Sequence, residues 1–94
     1  MKLFLIRHGN ASSNPFNIGK PLSDLGKVEV QVLAKHLKQT GFSIGQIFHS
    51  GKLRAEQTAE IIQTYLDPNI TIKKNLFLDL YHRSSQNLLF IRVM

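Results

Sequence analysis

Short apolar runs alternate with amphipathic segments along most of the chain. Residues 2–7, KLFLIR, are almost continuously apolar, as expected of a strand buried on both faces of a parallel sheet. Residues 44–49 and 70–73 predict a second and a third short strand. Each interval between these strands contains one segment with helical spacing.

The first of these segments carries helix signals at both ends. Ser23 is a suitable N-cap, Asp24 places a negative charge in the first turn, and Gly41 provides a stop. The apolar positions with helical spacing are Leu25, Val28, Val32, Leu33 and Leu37.

The second segment predicts a helix over Lys52–Leu66, with Pro68 just beyond its end. One face of this helix is apolar and consists of Ala55, Ala59, Ile62 and Leu66. The order strand, helix, strand, helix, strand predicts an α/β fold, a parallel sheet with flanking helices. Residues 1–94 are expected to form one domain, which is the most that a chain of this length accommodates.

Composition narrows the class of protein. A chain that is 43% hydrophobic and 19% charged is typical of a soluble globular protein, and the absence of cysteine excludes disulfides and thiolate metal sites. No apolar run approaches the roughly 18 residues of a membrane span, so we expect a cytoplasmic protein with no membrane partner. The net charge of +6 favours anionic partners. Because the basic residues are scattered, a nucleic-acid interface is not the favoured interpretation.

Two basic clusters follow the first and second strands. Arg7, His8 and Gly9 end the first strand, and Arg54 lies five residues beyond His49, which ends the second. Since ligands bind beyond the carboxyl ends of parallel strands, we expect both clusters to lie at one edge of the sheet.

Phosphate chemistry suits this combination. A neutral His8 imidazole can attack phosphorus, Arg7 and Arg54 can each donate two parallel hydrogen bonds to phosphate oxygens, and Gly9 lets the backbone approach closely. Each residue also has a simpler interpretation, since a histidine can be a metal ligand or a proton carrier and Arg54 a solvated surface residue.

Three stretches, LIRHGNA, PLSDLG and HSGKLRAEQTAEII, resemble the histidine phosphatase superfamily over about residues 1–66. Asn10 and Ala11 are similar to its short phosphohistidine phosphatase (SixA-type) branch. The resemblance implies a phosphatase that needs no metal or other cofactor, with His8 as nucleophile and Arg7 and Arg54 as a phosphate clamp. It also implies that Gly9 and Asn10 contact the phosphate. The substrate would be a phosphohistidine on a phosphotransfer protein of a signalling system.

The chain departs from this family in its last third. The family has a second pocket histidine at the end of a later strand, beside the first strand, and His36, His49 and His82 do not match that position. We therefore expect the amino-terminal part of such an enzyme, truncated after about residue 80 and incomplete at its C-terminus, with impaired turnover. Without that neighbouring strand, Lys2–Arg7 would be an exposed edge through which the chain self-associates, unless Asn87–Met94 folds back as a substitute strand.

Two other functions stay open. One is a small-molecule phosphomonoesterase of the same superfamily. The other is a non-catalytic basic module that binds phosphorylated protein or nucleic acid.

Overall fold

The computed structural model describes residues 2–7, 20–41, 43–49, 51–74 and 88–93, and for the first and last of these ranges it describes the backbone. The elements in chain order are β1 (Lys2–Arg7), α1 (Asp24–Gln39), β2 (Ile44–His49), α2 (Leu53–Leu66), β3 (Thr71–Lys74) and β4 (Leu88–Val93). The α/β fold class is confirmed. The predicted strands and the second predicted helix are present, and their boundaries agree with the prediction to within about one residue. The first predicted helix, α1, ends two residues before the predicted stop at Gly41.

The four strands form one sheet in the order β1-β4-β2-β3. β2 and β3 are parallel, with Ile47 opposite Ile72. β4 is antiparallel to β1 and to β2. β1, β2 and β3 therefore all point in one direction, as the alternating order predicted, and β4 makes the sheet a mixed one. Residues 88–93 of the apolar segment 87–94 fold back as the strand β4, which lies between β1 and β2.

α1 has the predicted caps. Ser23 Oγ accepts a hydrogen bond from the Gly26 N–H at 2.9 Å, which satisfies one of the free donors at the helix start. The helix ends at Gln39, and Gly41 follows with φ +76°, a conformation in which glycine has no Cβ penalty. None of the helices in the described part of the chain is both long and apolar enough to span a bilayer.

The buried face of α1 differs in part from the face that the apolar spacing predicts. The buried positions on this helix are Gly26, Val30, Ala34 and Leu37. Three of the predicted apolar positions are exposed instead: Leu25 at 62%, Val28 at 54% and Val32 at 62%. α1 packs on α2, whose buried face carries Ala55 and Ala59. Small buried residues therefore stand on both helices, while the larger Leu25, Val28 and Val32 lie outside the buried face.

The core lies between the two helices and β2. Leu22 is joined to α2 by its N–H, which donates to Gln57 Oε1 at 2.8 Å. The largest fully buried apolar side chains are Ile47, Ile62 and Val30. The other buried apolar residues are Leu22, Ala34, Leu37, Ile44, Ala55, Ala59 and Ile70.

Candidate active site

The first basic cluster begins at the carboxyl end of β1. Arg7 is the last residue of this strand and lies opposite Leu88 of β4. His8, Gly9 and Asn10 lie outside the described residues, as does the side chain of Arg7. The structure therefore gives the place and direction from which the chain enters this cluster.

The register across β4 relates this end of β1 to the end of β2. Leu5 and Phe48 are both opposite Phe90, one on each side of β4. Arg7 lies two residues beyond Leu5, and His49 lies one residue beyond Phe48. Because neighbouring strands are about 4.8 Å apart, the backbones of β1 and β2 are roughly 10 Å apart at this level. The ends of both strands lie at the same edge of the sheet.

The second cluster is reached through a short turn between β2 and α2. Gly51 has φ +94°, a conformation that residues with a Cβ rarely adopt. A Cβ at this position would meet Cε of Lys74, with Cδ and Nζ at 3.2 Å. Lys52 is the N-cap of α2, and its carbonyl accepts from the N–H groups of Ala55 and Glu56, both at 3.0 Å.

Arg54 is the second residue of α2 and is half-buried. Its carbonyl accepts a hydrogen bond from the buried Thr58 hydroxyl at 2.7 Å. It lies in the first turn, directly after the strand end, as the sequence predicts. The N-terminal end of a helix also carries a partial positive charge, which favours anions.

His49 is the feature that the sequence analysis undervalued. The residue is 5% exposed, and its Nδ1 accepts a hydrogen bond from the Gly51 N–H at 3.0 Å. Burial lowers the pKa of His49 below its ordinary value of 6.5, the Glu56 carboxylate partly opposes this, and Lys74 lowers it further. A histidine two residues before a glycine at a strand end was the available signal, because a side-chain acceptor there can bond to the backbone N–H two residues on.

An open groove of about 700 Å³ lies beside this histidine, between α2 and β3. Besides His49 it is lined by Glu56, Glu60, Gln63, Thr64, Ile72 and Lys74. Carboxylates and an ammonium group therefore share the surroundings of the imidazole. Within the described ranges no three His, Cys, Asp or Glu side chains are grouped so that they could hold a metal ion.

Two other histidines were considered for the pocket, and the structure describes one of them. His36 is exposed in the last turn of α1. His82 lies outside the described residues.

Comparison with known proteins identifies the family. Residues 3–77 match the sequence model of the histidine phosphatase superfamily (branch 1). A stretch of 65 residues is 34% identical to the serine/threonine-protein phosphatase PGAM5, mitochondrial, of Xenopus tropicalis. This similarity covers 68% of the present chain and 23% of the Xenopus protein, so the chain spans under a quarter of that relative's length. With the family match extending from β1 through β3, the chain belongs to the histidine phosphatase superfamily.

Proposed function

We propose that this chain contributes the phosphate-binding and nucleophilic half of a phosphatase site. His8 is the nucleophile, and Arg7 and Arg54 bind the phosphoryl oxygens together with the backbone of Gly9 and the side chain of Asn10. Membership of the superfamily and the similarity to a protein phosphatase support phosphatase activity in general.

One observation carries the proposal. β1 and β2 point in the same direction on either side of β4, so the segment that follows Arg7 and the turn that leads to Arg54 leave the sheet at one edge. A spacing of roughly 10 Å between the strands is compatible with two arginines that bind one anion. If the carboxyl ends of β1 and β2 lay at opposite ends of the sheet, a shared pocket would be excluded.

The reaction has two steps. A neutral imidazole nitrogen of His8 forms a bond to phosphorus while the bond between phosphorus and the leaving group breaks, and the leaving group takes up a proton from the solvent. Water then attacks the phosphohistidine, the P–N bond breaks, and inorganic phosphate leaves while His8 is restored. Positive charge around the equatorial oxygens is the main requirement in both steps, and two guanidinium groups supply it without a metal ion.

For the substrate we propose a phosphohistidine on a phosphotransfer protein. Asn10 and Ala11 support this choice, since the phosphohistidine phosphatase branch that they resemble has an alanine at the position of Ala11. A phosphoserine or phosphothreonine protein is the second candidate, and the 34% identity to the Xenopus serine/threonine-protein phosphatase favours it. A small phosphomonoester and a non-catalytic phosphate-binding role are the remaining alternatives.

Hydrolysis of three substrates by the 94-residue chain tests these proposals: a phosphohistidine protein, a phosphoserine peptide and p-nitrophenyl phosphate. We expect slow hydrolysis that is fastest for phosphohistidine, that EDTA does not affect, and that His8→Ala abolishes. His36→Ala is the matched control, because His36 is exposed on α1. Activity that EDTA abolishes, or that survives His8→Ala, would contradict the mechanism.

Binding without turnover would identify a phosphate-binding module instead. In that case the dependence on salt separates its ligands, because a nucleic-acid complex that neutralises several phosphates weakens steeply as salt increases.

A further inference from the structure

We propose that His49 is a positioning residue for Arg54: its neutral imidazole holds Gly51 through Nδ1, and protonation of the ring releases the turn between β2 and α2 and weakens oxyanion binding. Only the last step of this inference rests on the proposed function. The first step concerns the conformation of the turn and stands without it.

The hydrogen bond from Gly51 to His49 joins the turn to the buried histidine at the end of β2. Lys52, the N-cap residue, makes no side-chain capping bond to α2, and its carbonyl accepts the first backbone hydrogen bonds of the helix. Gly51 holds φ +94° immediately before this N-cap, and the 3.0 Å bond from its N–H to Nδ1 fixes the peptide orientation there. Arg54 follows three residues later and takes its position from this turn.

Lys74 restrains the same turn from the other side. In the parallel pairing of β2 and β3, Lys74 lies opposite His49, and its aliphatic carbons are packed against Gly51. Gly51 therefore contacts both the imidazole ring, through its N–H, and the lysine side chain.

The bond from Gly51 requires the neutral ring. An N–H can donate to Nδ1 only while this nitrogen has its lone pair, so the ring proton is on Nε2. Protonation places a hydrogen on Nδ1, so that the Gly51 N–H then faces a second donor instead of an acceptor. Among the described side chains, the charged groups that share the groove with the ring are Glu56 and Glu60 of α2 and Lys74 of β3.

These charged groups act in opposite directions on the protonated ring. Lys74 and burial disfavour the imidazolium, whereas Glu56 favours it. The ring is therefore neutral at neutral pH and gains its proton on the acid side of 6.5. In that range the turn loses its side-chain restraint.

The experiment compares the wild type with three variants, all as full 94-residue chains. His49→Asn keeps an acceptor near the position of Nδ1 but does not titrate, and His49→Leu removes the acceptor. The control is His36→Asn, which changes an exposed histidine far from the turn. Tungstate binding is measured by calorimetry between about pH 5.5 and about pH 8, and the wild-type imidazole nitrogens and the Gly51 amide are followed by NMR over the same range.

We expect the NMR spectrum to show the Nε2–H tautomer, and the Gly51 amide to shift as His49 titrates. Tungstate affinity should fall by about three- to tenfold on the acid side in the wild type and in His36→Asn. It should fall less in His49→Asn, which also reports any titration of the anion itself. His49→Leu should bind weakly at every pH.

An Nδ1–H tautomer, or a Gly51 amide that does not respond to the titration of His49, would overturn the inference. So would equal pH profiles for the wild type and His49→Asn. If the wild type binds no tungstate at any pH, the proposed function fails, and the NMR measurement alone decides whether His49 sets the turn. If His49→Leu does not fold, the comparison of the wild type with His49→Asn still decides.

Discussion

The side chain of Lys74 fills the space beside Gly51 in which a Cβ on residue 51 would stand. This contact joins the end of β3 to the turn that precedes α2. It brings an ammonium group close to His49, which lies opposite Lys74 in the sheet. Lys74 therefore has a structural and an electrostatic effect on one turn.

Replacement of Gly51 by alanine separates these two effects. Both Gly51→Ala and Gly41→Ala place a Cβ on a residue with positive φ, so each should lower the free energy of unfolding by roughly 1–2 kcal/mol. A Cβ on residue 41 has open space around it, whereas one on residue 51 must push the flexible end of Lys74 aside. Gly51→Ala should therefore also raise the pKa of His49, and Gly41→Ala should not.

Urea denaturation and NMR titration of the two variants measure these effects. An unchanged pKa of His49 in Gly51→Ala would mean that Lys74 is not held over the turn.

Loss of a methyl group or two should affect stability differently on the buried face of α2 and on the exposed apolar face of α1. Ile62 is fully buried, so Ile62→Val should lower the free energy of unfolding by about 0.5–1.5 kcal/mol. Val32 is 62% exposed, so Val32→Ala should change it by less than about 0.5 kcal/mol. Thermal or urea unfolding followed by circular dichroism checks both values. A larger effect of Val32→Ala would show that this face of α1 is covered in solution.

Arg54 should contribute directly to oxyanion binding. Loss of a charge-assisted bidentate partner costs roughly 1.5–3 kcal/mol, so Arg54→Ala should weaken tungstate binding by about ten- to a hundredfold. The tungstate affinity of Arg54→Lys should lie between those of the wild type and Arg54→Ala, because lysine keeps the positive charge but lacks the planar guanidinium. Lys27→Ala, which removes one positive charge from an exposed position on α1, is the matched control. Equal affinities in Arg54→Ala and Lys27→Ala would contradict the shared pocket.

The stability of the fold should fall at acid pH in part through His49. The folded state holds the pKa of this histidine below the ordinary value of 6.5, so below 6.5 the unfolded chain binds more protons than the folded one. The contribution to stability is complete above 6.5 and is lost as the pH decreases from there through the folded-state pKa. Urea unfolding at several pH values should give a steeper loss for the wild type than for His49→Asn. Parallel curves would show that the histidine titrates alike in both states.

The two outer strands of the described sheet, β3 and β1, should differ in their tendency to pair with another chain. β3 carries the exposed Lys73 and Lys74, which oppose edge-to-edge pairing. β1, at the other edge, is apolar between Lys2 and Arg7. We expect self-association through β1, seen as a concentration-dependent elution volume in size-exclusion chromatography that high salt does not abolish. A monodisperse monomer at all concentrations would refute this expectation.

Local signals in the sequence determined where the elements lie. The cap at Ser23, the stop near Gly41 and the alternation of apolar runs with helical segments are short-range features, and each acts on its own few residues. The same order of elements determined that β1 and β2 run in one direction. It thereby determined that Arg7 and the turn before Arg54 belong to one sheet edge.

Tertiary packing decided what short-range signals do not encode. The buried face of α1 depends on its contact with α2, since Gly26 and Ala34 are buried while the larger Leu25 and Val28 are exposed. The place of β4 between β1 and β2 depends on long-range pairing. Residues of β4 lie more than forty positions along the chain from their partners in β2 and more than eighty from their partners in β1, and no local pattern specifies such pairs. The role of His49 likewise follows from the burial of its ring and from Lys74 on a neighbouring strand, because a side chain's protonation state depends on the charges and solvent that the fold places around it.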